Sequence, residues 1–313
     1  MVCVIIRNIS LMHAGMKIVL TGSDGFIGKA VKRGLEMKGH TIIGFDIRSG
    51  HDMLKRDDVE KVVGSGIDMV YHLAAAADLT KIKTLDDARM ATDLNVLGTY
   101  NFAHACAKHG IWLVYASTCC VYGNQLTHAP EFEDTTLPNP SEIYACTKLA
   151  GEDIIRGYGI NFVLPYTILR FATIYGPGMR DTLAPAVFLR QAYEGKPITV
   201  HGTGEQERTQ TYIDDLVEGI VAVAEHPEAK QQIINLTSEE NVSVIRMARD
   251  IKALLQSSSE IVHGPDRRYQ TYHENPAVQK ARQLLGWKAK TSWEEGIKKT
   301  AAWFVAEQKK ARH

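Results

Sequence analysis

Net charge is the first thing missing from this 313-residue chain. Its 36 Lys and Arg are matched by 36 Asp and Glu, so no global field draws it to nucleic acid or to an anionic membrane surface. An anionic ligand must be met by local groups. Cysteine is sparse: Cys3, Cys106, Cys119, Cys120 and Cys146 form an odd set with no C-x-x-C pair, and no His cluster stands at zinc spacing. That pattern argues against a disulfide framework or a metal site and for reduced thiols in a cytoplasmic protein. No apolar run approaches the ~18 residues of a membrane span. The apolar stretch from Val2 to Ile6 is closed by Arg7 and preceded by no basic segment, which is too short for a signal peptide. Residues 1–15 therefore read as an N-terminal extension, with Met16 where the first strand begins. Internal repeats and low-complexity segments are absent too. What remains is the composition of an ordinary globular protein, 45% hydrophobic and 23% charged, long enough to bury a sizeable core.

The organised part opens with a short β-rich run, Lys17 to Thr21, leading into Gly22-Ser-Asp-Gly25-Phe26-Ile27-Gly28. A helical pattern follows, with Ile27, Val31 and Leu35 at spacing four, then a second strand from Thr41 to Phe45 closed by Asp46. Strand, glycine turn, helix, strand and acid in this order are what a dinucleotide needs. The glycines permit a tight turn and close approach of backbone to a pyrophosphate, and the helix N-terminus faces the phosphates. An acid about 20 residues on suits a ribose diol. Asp46 thus favours NAD over NADP, whose 2′-phosphate a carboxylate repels, although Arg48 could accept that phosphate. Asp52 and Met53 are placed to reach the adenine.

Asp68 to Ala75 is an almost continuous apolar run, as expected of a parallel strand buried on both faces, with small alanines at its end. A long helix is expected from about Asp86 to His109, then a strand over Ile111 to Ser117. A polar loop from Gly123 to Pro140 leads to a helix from Ser141 to about Tyr158. This alternation predicts an α/β fold with a doubly wound parallel sheet, an NAD-binding domain over 16–172. From Thr173 the segments shorten. They read as a helix (Ala184–Glu194), a hairpin-like stretch (Ile198–Tyr212), a helix from Asp214, a strand (Gln232–Leu236), and helices near 244–256 and 293–308. Residues 173–313 are expected to be mainly a smaller substrate-binding domain, with 214–237 returning to the first.

The chemistry centres on Thr118 and on Tyr144 and Lys148. Spacing four puts the last two on one helix face, one turn apart. A free tyrosine ionises near pH ~10, and a fixed ammonium beside it is expected to bring that value toward neutrality. Thr118, at a strand end, offers a hydroxyl to a reacting oxygen.

With these pieces assembled, the sequence resembles the extended short-chain dehydrogenase/reductase family, in particular its nucleotide-sugar epimerases and dehydratases, nearest in pattern to UDP-glucose 4-epimerase. The matching pieces are Thr21-Gly-x-x-Gly-Phe-Ile-Gly28, His72-Leu-Ala-Ala75, Asn95-Val-x-Gly-Thr99, Ser117-Thr118-x-x-Val-Tyr-Gly123 and Tyr144-x-x-x-Lys148. Leu169-Arg-Phe-x-x-x-Tyr-Gly-Pro177, Asp214-Asp215 and Leu284-Leu-Gly-Trp287 extend them through the chain. The resemblance implies Tyr144 as acid/base on a sugar hydroxyl, Lys148 on the nicotinamide ribose and tuning Tyr144, and Thr118 on the reacting oxygen. It implies Phe26, Ile27, Asp46, Asp52, Met53, Leu73, Ala74, Ala75 and Asn95 as cofactor-lining residues.

The chain departs from that pattern in ways that narrow the reaction. Where the family's 4,6-dehydratases carry Asp-Glu after the threonine, and its decarboxylating members a glutamate, this chain has Cys119-Cys120. A thiol is not an equivalent acid, so both activities are disfavoured, and Cys119 reads as a small buried filler. On the substrate side Thr173 stands where asparagine is frequent, and His201 where an aromatic often stacks on the base. Arg208 matches a common diphosphate-binding arginine. The family's Arg-Pro-Gly-Asp is replaced by His263-Gly-Pro-Asp266, followed by Arg267-Arg268. The expected activity is NAD-dependent epimerisation of a nucleotide-diphosphate sugar, at C4 of a UDP-hexose, by transient oxidation. Alternatives are a net NAD(P)-dependent reductase or dehydrogenase and a non-catalytic dinucleotide sensor. The resemblance also implies a homodimer through a four-helix bundle, its apolar stripes Leu94, Leu97, Phe102 and Ala105 on one helix and Ile143, Leu149 and Ile154 on the other.

Overall fold

The computed structural model describes residues 15–125, 129–266 and 274–311; the N-terminal extension up to Ala14, and Arg267 and Arg268, lie outside them. In chain order the first elements are β1 (Lys17–Thr21), α1 (Phe26–Met37), β2 (Thr41–Phe45), α2 (Arg56–Val62), β3 (Met69–His72), α3 (Leu85–Thr92), α4 (Gly98–His109), β4 (Trp112–Thr118), α5 (Ile143–Phe162) and β5 (Tyr166–Phe171). Then follow β6 (Thr173–Tyr175), α6 (Ala184–Tyr193), β7 (Ile198–His201), β8 (Glu207–Tyr212), α7 (Ile213–Ala222), β9 (Gln232–Asn235), β10 (Asn241–Ser243), α8 (Val244–Leu254), β11 (Ile261–Gly264), α9 (Gln279–Leu285) and α10 (Trp293–Lys310).

The main sheet runs β2-β1-β3-β4-β5-β9 with parallel pairing throughout. Alternate residues of each strand go to opposite faces, and both faces are covered. Ile18 and Leu20 pack with Val31 and Leu35 of α1 and Ile220 of α7. Val19 between them packs with Val59 of α2, Phe102 of α4 and Ile155 of α5. A strand buried on both sides must be apolar at every position, which explains the near-continuous hydrophobic runs. The chain leaves β1 toward β2 on one side and takes up β3 on the other. A crevice therefore opens at the carboxyl ends of these strands, where open α/β sheets bind ligands.

Beyond β5 the strands are short. β6, β8 and β10 form one small sheet and β7 pairs with β11 in another. The hairpin expected over Ile198–Tyr212 is corrected here. β7 and β8 do not pair; β7 runs parallel to β11 and β8 lies between β6 and β10. Gly202 and Gly204 both adopt positive φ between them and redirect the chain from one sheet to the other. β9 returns to the main sheet beside β5. Asp215, of the Asp-Asp pair, is structural: its carboxylate accepts from Lys290 N (3.0 Å), Thr291 N (2.8 Å) and Thr291 Oγ1 (3.1 Å). Trp287 donates its indole N–H to the carbonyl of that same residue at 2.9 Å, so the two motifs meet and moor the chain's last helix. Among the described residues no helix is long and apolar enough to cross a membrane.

Two further expectations change. The helix foreseen over Asp86–His109 is interrupted by a π-type segment, Asp93–Leu97, where Asn95 turns its side chain inward. And the proposed stripe is partly core: Phe102 and Ala105 are fully buried in their own chain, packed under the main sheet. An Ala105→Glu change would bury a carboxylate in that core and so cannot report on association. Met90, Leu97, Tyr100, Ile143, Ile160 and Phe162 are large apolar residues left exposed on these helices.

Candidate active site

A cleft of about 960 Å³ spans the carboxyl edge of the main sheet and the small sheets. Its first wall is the glycine turn. Gly22 has φ +68°, and a Cβ there would stand 3.0 Å from Ala74 N, so the turn can lie against the loop after β3 only without a side chain. At Gly28 a Cβ would meet Gly22 O at 2.0 Å, so α1 sits directly on the turn. Gly25 occupies the N-cap of α1 without a side-chain cap, leaving the helix's first N–H groups open to an anion. Phe26 and Ile27 also line the cleft.

Asp46 ends β2 at the cleft's edge. Its carboxylate accepts from Asp24 N (3.1 Å) and Arg48 N (3.0 Å), and the Arg48 guanidinium is drawn to Asp24 O at 2.7 Å. The acid is thus held rigidly at the rim while the neighbouring cation is spent on a backbone carbonyl. Asp52, Met53, Leu73, Ala74 and Ala75 complete this end. Thr21 Oγ1 ties it together, donor to or acceptor from His72 Nδ1 (2.8 Å) while accepting from Ala74 N (2.9 Å). His72 is buried and pushed down to about 3, chiefly by burial, so it stays neutral. These residues fit a dinucleotide: open N–H groups for the diphosphate, a fixed carboxylate for a ribose diol, small residues for close approach. Asp46→Ala is expected to narrow the preference for NAD over NADP by roughly tenfold, about 1.4 kcal/mol; titration calorimetry of both dinucleotides checks it.

Asn95 corrects an expectation. It does not line the cleft. Its amide is consumed inside: Oδ1 accepts from Ala76 N (2.8 Å) and Nδ2 donates to Thr147 Oγ1 (2.9 Å) and Ala76 O (3.2 Å). It braces the loop after β3 against α5, beside Lys148.

At the opposite end Thr118, Tyr144 and Lys148 come together. Thr118 ends β4 and its Oγ1 accepts from Cys120 N at 3.2 Å. Lys148 is 2% exposed, its Nζ 4.0 Å above the Tyr115 ring. Burial lowers it to about 7 against the pull of the Glu152 carboxylate. Tyr144 is raised, by burial first and then by Cys120, while Arg180 and the Thr118 hydroxyl act in the other direction. The phenol of the ligand-free protein thus lies above its ordinary value rather than below it, because burial outweighs the charges around it.

Behind them lies a network that spacing alone did not reveal. Glu152, one turn beyond Lys148, accepts from Ser117 Oγ (2.5 Å), Arg170 Nε (3.0 Å) and Arg170 Nη2 (2.6 Å), all buried. The signal was there in the continued spacing of four, Tyr144, Lys148, Glu152. Cys119 is buried, donates weakly to Arg170 O at 3.6 Å, and has its thiol pushed up by burial. Cys120 lines the cleft with its thiol raised to about 12, again by burial.

Thr173, His201 and Arg208 line the far wall; His201 Nδ1 meets Pro265 O at 3.0 Å. Glu142, Gln210 and Glu274 are among the cleft residues that nothing in the sequence singled out. Both acids are pushed up by burial, and Arg208 pulls each back down. Among the described residues no His, Cys, Asp and Glu group is placed to hold a metal.

The chain is similar to known proteins over most of its length. Residues 18–237 match the NAD dependent epimerase/dehydratase family. A UDP-N-acetyl-alpha-D-glucosaminuronate decarboxylase of Bacillus cytotoxicus is 31% identical, covering 92% of this chain and 97% of its own. The fold superimposes on a UDP-glucose 4-epimerase of Thermotoga maritima with UDP-glucose at a TM-score of 0.87, 25% identity, 94% of this chain and 100% of that one. It also matches a UDP-glucuronic acid 4-epimerase of Bacillus cereus in complex with UDP-glucuronic acid and NAD, at 0.86 and 27%, with 93% and 100% covered. With 220 residues of glycine turn, acid, Tyr-Lys pair and parallel sheet inside one family match, this chain belongs to the NAD-dependent epimerase/dehydratase family of enzymes.

Proposed function

We propose that the enzyme is a 4-epimerase of a UDP-hexose, working by transient oxidation of the sugar. The observation that carries this is the reacting end of the cleft: Thr118 and Tyr144 stand together with a neutral thiol, Cys120, where elimination or decarboxylation would use a carboxylic acid. Tyr144, once charge arriving with the ligands has ionised it, takes the proton of the C4 hydroxyl, and Thr118 hydrogen-bonds the same oxygen as it becomes a carbonyl. In the ligand-free protein the phenol is neutral, and NAD, when bound, supplies a positively charged ring and a reversible hydride acceptor. Lys148 would hold the nearby ribose. The keto-sugar turns over in the cleft, its C4 regains the hydride on the opposite face, Tyr144 returns the proton to the oxygen, and the opposite configuration results.

Two features favour a neutral hexose over a uronate. Glu142 and Glu274 line the cleft with Arg208, whose positive charge pulls both carboxyls down against burial. A sugar carboxylate brought there would have to compete with both acids for that cation. The matched relatives include enzymes named for uronates, so the experiment must discriminate. The purified enzyme is incubated, without added cofactor, with UDP-glucose, UDP-N-acetylglucosamine and UDP-glucuronic acid, and products are separated by chromatography. Formation of the C4 epimer of a neutral sugar with no lasting change at 340 nm is expected. A pentose product with carbon dioxide would replace this reading by decarboxylation, and stoichiometric NADH by net dehydrogenation.

The assembly we infer is a homodimer, in a cytoplasmic setting that suits free cysteines such as Cys106, Cys119, Cys120 and Cys146. Leu97 at 46%, Tyr100 at 41% and Ile143 at 45% exposure form apolar area on α5 and the helices beside it, area that a two-fold contact would bury twice. Leu97→Glu is expected to weaken the dimer by at least tenfold without touching the core. Sedimentation velocity checks it, and a wild type that is monomeric and fully active would end the idea.

A further inference from the structure

We propose that Gln210 is a specificity-determining residue that hydrogen-bonds a hydroxyl of the bound sugar; this rests on the nucleotide-sugar reading above. β8 carries Arg208 and Gln210 two residues apart, so both side chains leave the strand on one face, and both line the cleft. Thr173 of β6, another cleft residue, is the register partner of Gln210. The backbone of Gln210 is fixed on both sides: its N–H donates to Glu240 O at 3.4 Å and its carbonyl accepts from Ser238 Oγ at 2.8 Å.

The side chain contrasts with that. Gln210 is 3% exposed, and its Oε1 is buried with no hydrogen-bond partner. A buried amide oxygen without a donor costs the fold stability that an apolar side chain of similar size would restore. A polar group held at such a cost in the wall of a cleft has its partner in the ligand rather than in the protein. The terminal torsion of glutamine is broad, so the amide can turn toward the cleft while the pinned strand stays still. Chemistry selects the partner. An amide oxygen repels phosphate oxygens, and Arg208, about 7 Å along the same strand face, is the group suited to those. Gln210 Oε1 needs a neutral donor, and on a nucleotide sugar beside Arg208 that donor is a sugar hydroxyl.

The test compares wild type with Gln210→Leu, each with its NAD, by calorimetry and melting. Titrants are UDP-glucose, its 2-, 3- and 6-deoxy analogues, and UDP alone. In Gln210→Leu the affinity for UDP-glucose is expected to fall roughly three- to tenfold, the size of one hydrogen bond, while UDP binds as before. The melting temperature should rise, since the unpartnered group is gone. One deoxy analogue should bind wild type as weakly as UDP-glucose binds Gln210→Leu and be insensitive to the substitution, naming the hydroxyl read. A purely structural glutamine gives the reverse pattern: lower melting temperature and unchanged affinity for UDP-glucose overturn the proposal. Equal loss for UDP and UDP-glucose also overturns it, placing the contact on the nucleotide. A wild type that binds no member of the series overturns the nucleotide-sugar reading itself, and this proposal with it.

Discussion

Tyr144→Phe is expected to fold, to bind NAD as the wild type does, and to lose turnover by roughly a thousandfold, within the ~10²–10⁴ that a positioned acid/base contributes. The change removes one oxygen from a side chain that lines the cleft and whose ring stays in place, so packing is preserved while the proton carrier is not. The physical case rests on position more than on the phenol's resting state. Burial holds Tyr144 protonated without ligand, with Thr118 and Arg180 opposing that bias. Acid/base function therefore depends on charge arriving with the ligands. Activity should rise with pH in the fully assembled enzyme, and Tyr144→Phe should flatten what little remains. Product chromatography over hours, beside fluorescence titration with NAD, separates lost chemistry from lost binding. A Tyr144→Phe enzyme within threefold of wild type would show that another group, such as Thr118 or a cleft water, takes the proton.

How far such a site could be read in advance depended on whether its parts are local. The glycine turn, Asp46 and the Tyr144–Lys148 pair were legible because each is fixed by a few neighbouring residues: a turn that needs φ > 0 at Gly22, a strand end, one helical turn. Asn95 was not, because a motif position says that a residue matters and not which way its amide points; here it points at Ala76 and Thr147. Nor was the fate of β7 and β8, whose partners β11 and β10 come tens of residues later. Ala105 sits at a spacing that fits a surface stripe or a core stripe equally, and only the sheet beneath decided for the core. The Tyr144–Lys148 electrostatics failed for a related reason. Spacing fixes distance along the helix, whereas the sign of each shift is set by burial, which the surrounding strands impose.

The largest effect on the fold should come from Glu152→Gln. Glu152 holds Arg170 through two hydrogen bonds and also accepts from Ser117; both members of the ion pair are almost fully buried, at 1% and 3% side-chain exposure. Breaking a buried pair by neutralising one member leaves the other charge uncompensated, a loss of roughly 3–5 kcal/mol. Arg170 keeps only weaker support, because its Nη1 is already buried without a hydrogen-bond partner and the Tyr122 ring lies 4.8 Å from the guanidinium. In a chain of this size that loss corresponds to a melting midpoint lower by roughly 5–15 °C. The substitution also reaches the catalytic face. Burial depresses Lys148 and the Glu152 carboxylate props it up, so removing the carboxylate depresses it further. Lys148 is a base whose folded value lies below its unfolded one, so the folded state binds fewer protons between about 7 and ~10.4. Its burial is therefore most costly below pH 7 and is relieved as pH rises through that window. In Glu152→Gln the lower edge of the window moves to more acidic pH, and any limb of the pH–rate profile that belongs to Lys148 moves with it. Melting curves from pH 6 to 9, beside kcat/KM over the same range, test both halves. A variant with the wild-type midpoint and the wild-type profile would mean that Arg170 and Lys148 are held by the packing around them and owe nothing to the carboxylate between them.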